Sequence, residues 1–379
     1  MDNKKIILVI NPGSTSTKVA LYNGECEINN KSIEHSSEII TRFANINEQL
    51  NFRKEAVISY LKEMNVAVSE LSAIAARGGV IGELETGAYL VDKDFVEASK
   101  KPLAPHVSNL APIIAFELAN EVGINAYAYD MVCGCGTPEE IFTLSGVPEL
   151  SRPFLTHVLN SRATCFEQAS RDNLNISEAT YIVTHMGGGI TSNLVDAGKI
   201  KDIVADDEGT MSPERSGGVP SRRLVELCFS GKYSEKQVQT MLKGKGGMVA
   251  YLGTNDLKEV EERIENGDKK ALLICEAMAM QISKDIGSLA TVVEGKVDKI
   301  ILTGGMAYSK RLTDMIGRRT SFIAPISIMA GTFEMKALAL GVLRVLNGQE
   351  KAHRFKLVLQ CIPTSAANIV LMSNNKSSQ

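Results

Sequence analysis

The sequence contains no long uncharged apolar run. None of its apolar stretches reaches the about 18 residues that a membrane-spanning helix needs, so we expect no membrane partner. We also expect no signal peptide, because the polar residues 1–5 lead directly into the pattern of a first β-strand. These absences predict a cytoplasmic protein.

An excess of charge of one sign is missing as well. The 41 lysine and arginine residues balance 44 aspartate and glutamate residues, which gives a formal net charge of -3, and no long basic run occurs. Proteins that bind nucleic acid usually carry a clustered basic surface, so we expect no nucleic-acid partner. The length of 379 residues and the hydrophobic share of 44% are typical of a globular protein with two domains.

Closely spaced cysteines are almost absent. Seven cysteines are scattered along the chain, and only Cys133 and Cys135 lie close together, at a spacing that differs from that of a zinc knuckle. We therefore expect reduced thiols that bind no metal and take no part in catalysis.

The chain is organised around a loop near the N-terminus that is rich in hydroxyl groups. The apolar run 6–10 precedes it, the run 19–22 follows it, and Asn23-Gly24 supplies a turn signal, so we predict a strand, a tight loop and a returning strand. Backbone N–H groups, hydroxyl groups and a positive charge would suit phosphate oxygens, although the same composition also suits an ordinary turn. The candidate binding residues are Asn11, Gly13, Ser14, Thr15, Ser16, Thr17 and Lys18.

The same pattern returns in the second half of the chain. The apolar run 181–184 precedes His185 and a loop that contains Gly187, Gly188 and Gly189. A shift of 174 residues places Gly187 on Gly13, Thr191 on Thr17 and His185 on Asn11. The matched order indicates a duplicated domain, and two such loops favour a nucleotide bound in the cleft between the halves.

Two further loops carry candidate binding residues. Arg215 lies between acidic residues and a Gly-Gly pair in the segment 206–220, where it could clamp a carboxylate or a transferring phosphoryl group in bidentate fashion. The apolar run 299–302 predicts another strand. The residues after it suit the close approach of an adenosine group, and they are Gly304, Gly305 and Met306.

Four polar residues lie at the ends of other predicted elements. Arg77 and Asp130 each follow a predicted strand, at the edge of a sheet where ligands collect in α/β proteins. His106 directly precedes an apolar helix, and Glu334 falls in the first turn of another helix. The alternatives stay open: Arg77 and His106 also suit surface loops, and each carboxylate could cap a turn or helix instead of serving a metal ion.

Four motifs together resemble those of the acetate and butyrate kinases, which belong to the actin-like superfamily. They are Asn-Pro-Gly-Ser-Thr-Ser-Thr-Lys at 11–18, His-Met-Gly-Gly-Gly at 185–189, Ser-Pro-Glu-Arg-Ser-Gly-Gly at 212–218 and Thr-Gly-Gly-Met at 303–306. The third motif and the segment 244–255 are more similar to butyrate kinases than to acetate kinases. The match covers about residues 5–350.

The resemblance implies an α/β fold of two duplicated actin-like, ribonuclease H-like domains with a nucleotide cleft between them. The N-terminal domain would span 1–150 and be completed by the helix around 335–350, and the C-terminal domain would span 151–334. The implied activity is direct and reversible in-line phosphorylation of a short-chain carboxylate by ATP, foremost of butyrate, which gives butanoyl phosphate and ADP. ATP or ADP and Mg²⁺ would be the cofactors, and the protein would be a homo-oligomer, a dimer or larger.

The resemblance also implies three groups of site residues. Those that would bind the carboxylate and the phosphoryl group in flight are His185, Arg215, Asn11, Asp130, Arg77 and His106. Those that would organise Mg²⁺ are Glu334, Asp130 and Asn11. Those that would contact the nucleotide are residues 13–18, 187–189 and 304–306.

The sequence departs from the family pattern in two places. Acetate kinases have an active-site arginine where this chain has Ile74, so the role of the nearby Arg77 as a substrate clamp is an expectation of its own. After about Phe355 the sequence resembles nothing that is expected of a butyrate kinase, and 356–379 is predicted to be a partly disordered tail.

Three alternatives stay open. The same reaction could act on acetate, propionate or a branched acid, because a methylene group discriminates by only about 1–3 kcal/mol. A nucleotide-binding regulator of the actin-like superfamily would do no carboxylate chemistry, but it would not need both Arg215 and His185. A sugar kinase would need an aspartate as general base toward a hydroxyl group, for which Asp130 is the candidate.

Overall fold

The computed structural model describes residues 4–356, so the predicted tail lies outside the described residues from position 357 onward. The chain divides into two compact units. Unit 1 comprises the residues up to Phe154 together with those from Leu338 on, and unit 2 is Leu155–Ala337.

Both units contain strands and helices. The strands are β1 (Ile6–Pro12), β2 (Ser16–Asn23), β3 (Cys26–Glu34), β4 (Ala73–Ala76), β5 (Ala88–Leu90), β6 (Asn125–Tyr129), β7 (Thr180–Met186), β8 (Ile190–Asp196), β9 (Lys199–Val204), β10 (Lys299–Gly304), β11 (Ile326–Ala330) and β12 (His353–Arg354). The helices are α1 (Ser37–Ile40), α2 (Leu50–Glu63), α3 (Lys93–Lys100), α4 (Leu110–Val122), α5 (Glu140–Thr143), α6 (Val158–Arg171), α7 (Ser221–Cys228), α8 (Glu235–Leu242), α9 (Met248–Leu252), α10 (Leu257–Glu265), α11 (Lys269–Val292), α12 (Lys310–Thr320) and α13 (Glu334–Leu346).

Unit 1 is built on a mixed sheet with the strand order β12-β5-β6-β4-β1-β2-β3. β1, β4 and β6 run parallel, whereas β2 and β3 are antiparallel neighbours that follow β1 as a meander. Every residue of β1 and β4 is buried, as expected of parallel strands that are covered on both faces. The helices α2 and α4 contribute Val57, Leu61 and Ile114 to the core.

Unit 2 is built on a second mixed sheet with the order β11-β10-β7-β8-β9. β7, β10 and β11 run parallel, and β8 and β9 follow β7 as antiparallel neighbours. The long helix α11 buries Ile274, Met278 and Ile282 in the core of this unit. No helix within residues 4–356 has both the length and the apolar composition to cross a membrane.

The two units repeat one plan. The order β6-β4-β1-β2-β3 in unit 1 corresponds in position and direction to β11-β10-β7-β8-β9 in unit 2. The prediction of an α/β fold with two duplicated halves is therefore confirmed. None of the six cysteines within the described residues forms a disulfide, and Cys361 lies outside them.

The two repeated hairpins differ in length by one residue. Asn11 pairs with Lys18 in the first hairpin, whereas His185 pairs with Thr191 in the second, so the second loop is one residue shorter. A shift of 174 residues therefore applies to the first strand of each hairpin only. The placement of Thr191 on Thr17 was wrong, because in strand register Thr191 corresponds to Lys18.

Candidate active site

The loop between β1 and β2 turns its carbonyl groups into the protein. Arg53 of α2 donates from Nη2 to the Ser14 carbonyl oxygen at 3.0 Å and from Nη1 to that of Ser16 at 2.7 Å. The backbone N–H of His35 donates to the Thr15 carbonyl oxygen at 2.8 Å. With these carbonyls bound internally, the exposed hydroxyl residues Ser14 and Thr15 lie on the solvent side of the loop. Such a surface suits phosphate oxygens.

The predicted binding residues of this loop divide between exposed and buried positions. Ser14, Thr15 and Lys18 are exposed, whereas Thr17 is fully buried. The Thr17 hydroxyl oxygen accepts a 3.0 Å hydrogen bond from Arg53 Nη1. Thr17 therefore supports the loop from behind.

Gly13 and Ser16 close the turn of the loop. The Gly13 N–H donates to the Ser16 carbonyl oxygen at 2.8 Å. A Cβ atom on Gly13 would lie 3.3 Å from the Ser16 hydroxyl oxygen, so the turn leaves little room for a larger residue.

Arg53 is a buried cation that sequence reasoning missed. Its side chain is fully buried, and within residues 4–356 no carboxylate pairs with it. Burial lowers the pKa of Arg53 to about 10, so the guanidinium is still charged at neutral pH. A buried charge without a counter-ion is costly, and an anion at the loop would supply one. The sequence did not indicate this burial, because arginine is typical of exposed positions.

Three predicted residues lie at the carboxyl ends of the parallel strands in unit 1. Asn11 is near the end of β1, Arg77 directly follows β4, and Asp130 directly follows β6. The Arg77 N–H donates to the Ile10 carbonyl oxygen at 3.0 Å, which holds the first two strand ends side by side. Ile74 is fully buried within β4. The role of Arg77 as a substrate clamp stays a prediction.

Asp130 is held in a backbone conformation that residues other than glycine rarely adopt. Its φ angle is +41°, in a region that costs free energy for an L-residue. The Gly87 N–H donates to Asp130 Oδ1 at 2.8 Å, and the Asp130 N–H donates to the Gly87 carbonyl oxygen at 3.1 Å. These two bonds fix the carboxylate at the sheet edge.

His106 precedes a 3₁₀ turn that leads into α4, which agrees with the position predicted for it before an apolar helix. Its Nδ1 accepts a 3.2 Å hydrogen bond from the Ser108 N–H, so the neutral ring carries its hydrogen on Nε2. A backbone bridge between Val80 and Ala104 joins the segment after Arg77 to the segment before His106.

In unit 2 the glycine loop between β7 and β8 is packed against the acidic loop. The Ser212 hydroxyl donates to the Gly188 carbonyl oxygen at 2.7 Å, and the Glu214 N–H donates to the same oxygen at 3.1 Å. A Cβ atom on Gly187 would lie 3.3 Å from His185 Nε2, and one on Gly188 would lie 3.3 Å from Glu214 Oε2. Side chains at these positions would fill the space in which a ligand could approach the backbone.

Gly189 and Arg215 meet at the acidic loop. A Cβ atom on Gly189 would lie 3.3 Å from Asp206 Oδ2, and the same carboxylate oxygen lies 3.4 Å from Arg215 Nε. Arg215 Nη1 lies 3.6 Å from Glu214 Oε2. The Nε atom of Arg215 is buried and makes no hydrogen bond. Arg215 Nη1 donates to the Glu214 carbonyl oxygen at 3.2 Å, and the side chain is 21% exposed. Guanidinium groups of this kind bind carboxylate and phosphate oxygens.

His185 is buried in a cluster of polar side chains from several elements. The Asn160 side chain on α6 donates to His185 Nδ1 at 3.0 Å and to Thr303 Oγ1 at 3.1 Å. His157 stacks on His185, with the ring centroids 4.1 Å apart and the ring planes 17° from parallel. The Phe333 N–H donates to Asn160 Oδ1 at 2.8 Å, so the residue before Glu334 belongs to the same cluster.

Sequence reasoning missed His157 and Asn160. His157 directly precedes α6, just as His106 precedes the helical segment of α4, and this shared signal could have identified it. Asn160 carried no such signal, because its partners come from distant strands and loops. Glu334 is the first residue of α13, as predicted, and is partly exposed.

A cavity of about 910 Å³ opens beside the glycine loop in unit 2. Its walls include two predicted nucleotide-binding residues, Gly305 and Met306, and the exposed Tyr308. Gly304 instead packs against the backbone of Met186 with a φ of +90°, a conformation that requires glycine. The other lining residues are Gly187, Gly188, Pro213, Glu214, Asn255, Asp256, Leu257, Lys258, Glu261 and Ser309.

The oxygen ligands that unit 1 offers suit a metal ion that takes most of its other ligands from water and phosphate oxygens. Among residues 4–356 no three His, Cys, Asp or Glu side chains lie close enough together to hold a metal ion. Asn11 and Asp130 provide an amide oxygen and a carboxylate at one sheet edge of unit 1. Mg²⁺ commonly takes one or two carboxylates and completes its shell with water and phosphate oxygens.

Comparison with known proteins places the chain in a family. The sequence model of the Acetokinase family matches residues 162–314. The chain is 47% identical over 346 residues to the probable butyrate kinase 2 of Caldanaerobacter subterraneus subsp. tengcongensis, covering 91% of this chain and 98% of that protein. It is 44% identical over 353 residues to butyrate kinase 2 of Clostridium acetobutylicum, covering 92% and 99%.

Solved structures show the same fold. The acetate kinase of Porphyromonas gingivalis matches with a TM-score of 0.76 at 19% identity, covering 90% of this chain and 100% of that chain. A propionate kinase of Francisella tularensis matches with a TM-score of 0.70 at 20% identity, covering 89% and 98%. From the near-complete match to its sequence relatives, the chain belongs to the butyrate kinases of the Acetokinase family.

Proposed function

We propose that this protein transfers the γ-phosphoryl group of ATP to a short-chain carboxylate, with butyrate as the preferred acceptor, and forms ADP and the acyl phosphate. The reaction runs in both directions. The observation that carries the proposal is the identity of 47% and 44%, over more than nine-tenths of the chain, to proteins named butyrate kinases.

The residues of unit 2 suit a transfer between two anions. Such a transfer depends on positioning and on positive charge, and the substrate carboxylate itself attacks in line, so no covalent enzyme intermediate is needed. We assign to Arg215 the neutralisation of the carboxylate and the transferring group. We assign to His185 a hydrogen bond from Nε2 to the phosphoryl group in flight.

The nucleotide is assigned to loops that offer backbone donors. The cavity of unit 2 receives the adenosine against Gly305, Met306 and Tyr308, with residues 187–189 at the phosphates. In unit 1, Ser14, Thr15, Ser16 and Lys18 present donors to phosphate oxygens, and the buried charge of Arg53 lies behind them. In both loops carbonyl groups are bound within the protein, which favours an anion at the remaining donors.

The remaining polar residues are assigned to the metal and the acceptor. Mg²⁺, when bound, neutralises charge on the phosphate oxygens. Asn11, Asp130 and Glu334 would hold it directly or through water. Arg77 and His106 would serve the carboxylate acceptor.

The proposal is tested by ADP formation with MgATP and a series of acids from acetate to valerate, including isobutyrate. We expect no ADP without an acid and the highest kcat/KM with butyrate. A maximum of kcat/KM at propionate or isobutyrate would identify a different preferred acceptor, whereas the proposed reaction would stand. ADP formation that is independent of acid, or none with any acid in a folded protein that binds ATP, would overturn the proposal.

A further inference from the structure

Asn160 connects His185 to a backbone group whose hydrogen-bonding role cannot change. Its Oδ1 accepts a 2.8 Å hydrogen bond from the Phe333 N–H. A backbone amide can only donate, so this bond fixes which end of the Asn160 side chain is oxygen. The amide nitrogen, a donor, therefore faces His185 Nδ1 at 3.0 Å.

The direction of the hydrogen bond between Asn160 and Thr303 is fixed as well. Asn160 Nδ2 also donates to Thr303 Oγ1 at 3.1 Å, and the Thr303 hydroxyl donates to the Gly331 carbonyl oxygen at 3.3 Å. A carbonyl oxygen can only accept, so the single hydroxyl hydrogen of Thr303 points away from Asn160. Both hydrogens of the Asn160 amide are then used, one for Thr303 and one for His185. Asn160, Thr303 and His185 are all buried.

The directions of these bonds determine the state of the His185 ring. Because Nδ1 faces a donor, it accepts and carries no hydrogen, and the neutral imidazole carries its hydrogen on Nε2. Protonation of Nδ1 would set two donors against each other in a buried site. The ring of His157 stacks on His185 with the centroids 4.1 Å apart, which restricts rotation of the His185 ring.

We infer that Asn160 is a positioning residue that holds His185 as the neutral tautomer with hydrogen on Nε2. His185 then acts as a hydrogen-bond donor to the phosphoryl group and does not act as a general base. This role in catalysis rests on the proposed function, whereas the tautomer can be measured without any substrate. A Cβ atom on Gly187 would lie 3.3 Å from His185 Nε2, so the donor nitrogen lies beside the glycine loop.

The tautomer is tested by ¹⁵N NMR of the whole protein with labelled histidine at neutral pH. The chain has five histidines, and comparison with a His185→Gln variant assigns the two ring nitrogens of His185. We expect a pyridine-type signal for Nδ1 and a pyrrole-type signal for Nε2. A pyrrole-type Nδ1 in the unaltered protein would overturn the inference, even if no Asn160 variant could be prepared.

The role of Asn160 is tested by Asn160→Asp. The carboxylate keeps an acceptor for the Phe333 N–H and presents a second oxygen to His185, so we expect Nδ1 to gain a hydrogen and its signal to become pyrrole-type. The matched control is Asn193→Asp, since Asn193 is also buried in unit 2 but bonds to Thr156 and Ser161. A folded Asn160→Asp protein with an unchanged Nδ1 signal, or the same change in the control, would contradict the inference.

A kinetic measurement separates positioning from binding. Asn160→Leu has a similar shape but no hydrogen bonds, and we expect kcat to fall by about 10- to 100-fold while KM for ATP and butyrate changes by less than about threefold. A loss confined to KM would contradict a positioning role. If the unaltered protein shows the expected tautomer but phosphorylates no acid, the proposed function fails and the tautomer assignment stands.

Discussion

Arg53 Nη2 lies 3.0 Å from the carbonyl oxygen of Ser14, and this bond ties a fully buried guanidinium to the loop that we assign to phosphate binding. The guanidinium both turns the loop carbonyls away from a ligand and places a positive charge behind the donors. One side chain therefore both holds the conformation of the loop and supplies the positive charge behind it. Variants at this position can separate the two effects.

Arg53→Lys keeps the charge but cannot bond both carbonyl groups with a planar fork. We expect KM for MgATP to rise about tenfold and the free energy of unfolding to fall by about 1–3 kcal/mol, because buried carbonyl groups lose their partners. Steady-state kinetics and urea denaturation measure the two effects. Arg263→Lys is the control, since Arg263 bonds to Asp268 and to the Leu252 carbonyl oxygen outside the loop. An unchanged KM in Arg53→Lys would show that the loop does not depend on this clamp.

Gly187→Ala tests the space beside His185. The added Cβ atom would lie 3.3 Å from His185 Nε2, which is closer than most such contacts. We expect kcat to fall about tenfold through displacement of the ring, with the free energy of unfolding lowered by about 1 kcal/mol or less. Gly287→Ala in α11, where a Cβ atom meets nothing within 4 Å, should instead stabilise the helix by about 1 kcal/mol at unchanged kcat. Equal kcat values in the two variants would refute the expectation.

Tyr308 tests the assignment of the cavity to adenosine. This residue lines the cavity and is 75% exposed, so its ring offers a surface on which a base can stack. We expect Tyr308→Ala to raise KM for ATP about tenfold, Tyr308→Phe to change it little, and KM for butyrate to stay constant. Phe322→Ala removes an aromatic ring that is 85% exposed and outside the cavity lining, and it should leave both constants unchanged. A rise in KM for butyrate alone would instead indicate that butyrate binds in this cavity.

Asp285 predicts a pH dependence of stability. Burial raises the pKa of this carboxyl group from its ordinary value of 3.8 to about 6, against a 2.8 Å hydrogen bond from the Thr210 N–H that favours the charged form. Between about pH 4 and pH 6 the folded protein therefore binds more protons than the unfolded chain, and this contribution to stability is lost as the pH rises through that window. Asp285→Asn should remove most of this dependence of the free energy of unfolding on pH. It should also raise the free energy of unfolding at pH 7 by about 1–3 kcal/mol.

Urea denaturation at several pH values between 4 and 7 measures how the free energy of unfolding changes with pH in the unaltered protein and in Asp285→Asn. The matched control is Asp314→Asn, since Asp314 is exposed and pairs with Lys310 on the same helix face. Parallel pH profiles for the unaltered protein and Asp285→Asn would contradict the predicted contribution.

Local pattern predicted the elements of the fold well. The first strand of each hairpin, β1 or β7, contains an apolar run because it is a central strand buried on both faces. The loops after these strands stand out by glycine and hydroxyl content. The one-residue difference between the hairpins was not visible, because strand register depends on pairing and not on composition. The domain limits of 1–150 and 151–334, the homo-oligomer and the cytoplasmic location stay predictions.

The residues that hold the candidate site residues in place were much harder to predict than the candidate site residues themselves. Arg215 became a candidate because charge next to a Gly-Gly pair is unusual in a loop, and the glycine loops became candidates because their pattern repeats. Arg53, Asn160 and His157 were missed, because each acts through partners that only the tertiary fold brings together. A buried arginine on a helix and a buried asparagine on another look like surface residues in sequence, and nothing local reveals their burial.

The measurement that tests the proposed reaction most directly is hydroxylamine trapping of the acyl phosphate formed from MgATP and butyrate, in the unaltered protein and in Arg215→Ala. Nucleotide binding is followed in parallel by the increase in melting temperature with ATP. We expect butyryl hydroxamate from the unaltered protein, and from Arg215→Ala at least about 100-fold less product at nearly unchanged ATP binding. ATP binding without hydroxamate from the unaltered protein would contradict the proposed reaction, and full activity of Arg215→Ala would contradict the role of that residue.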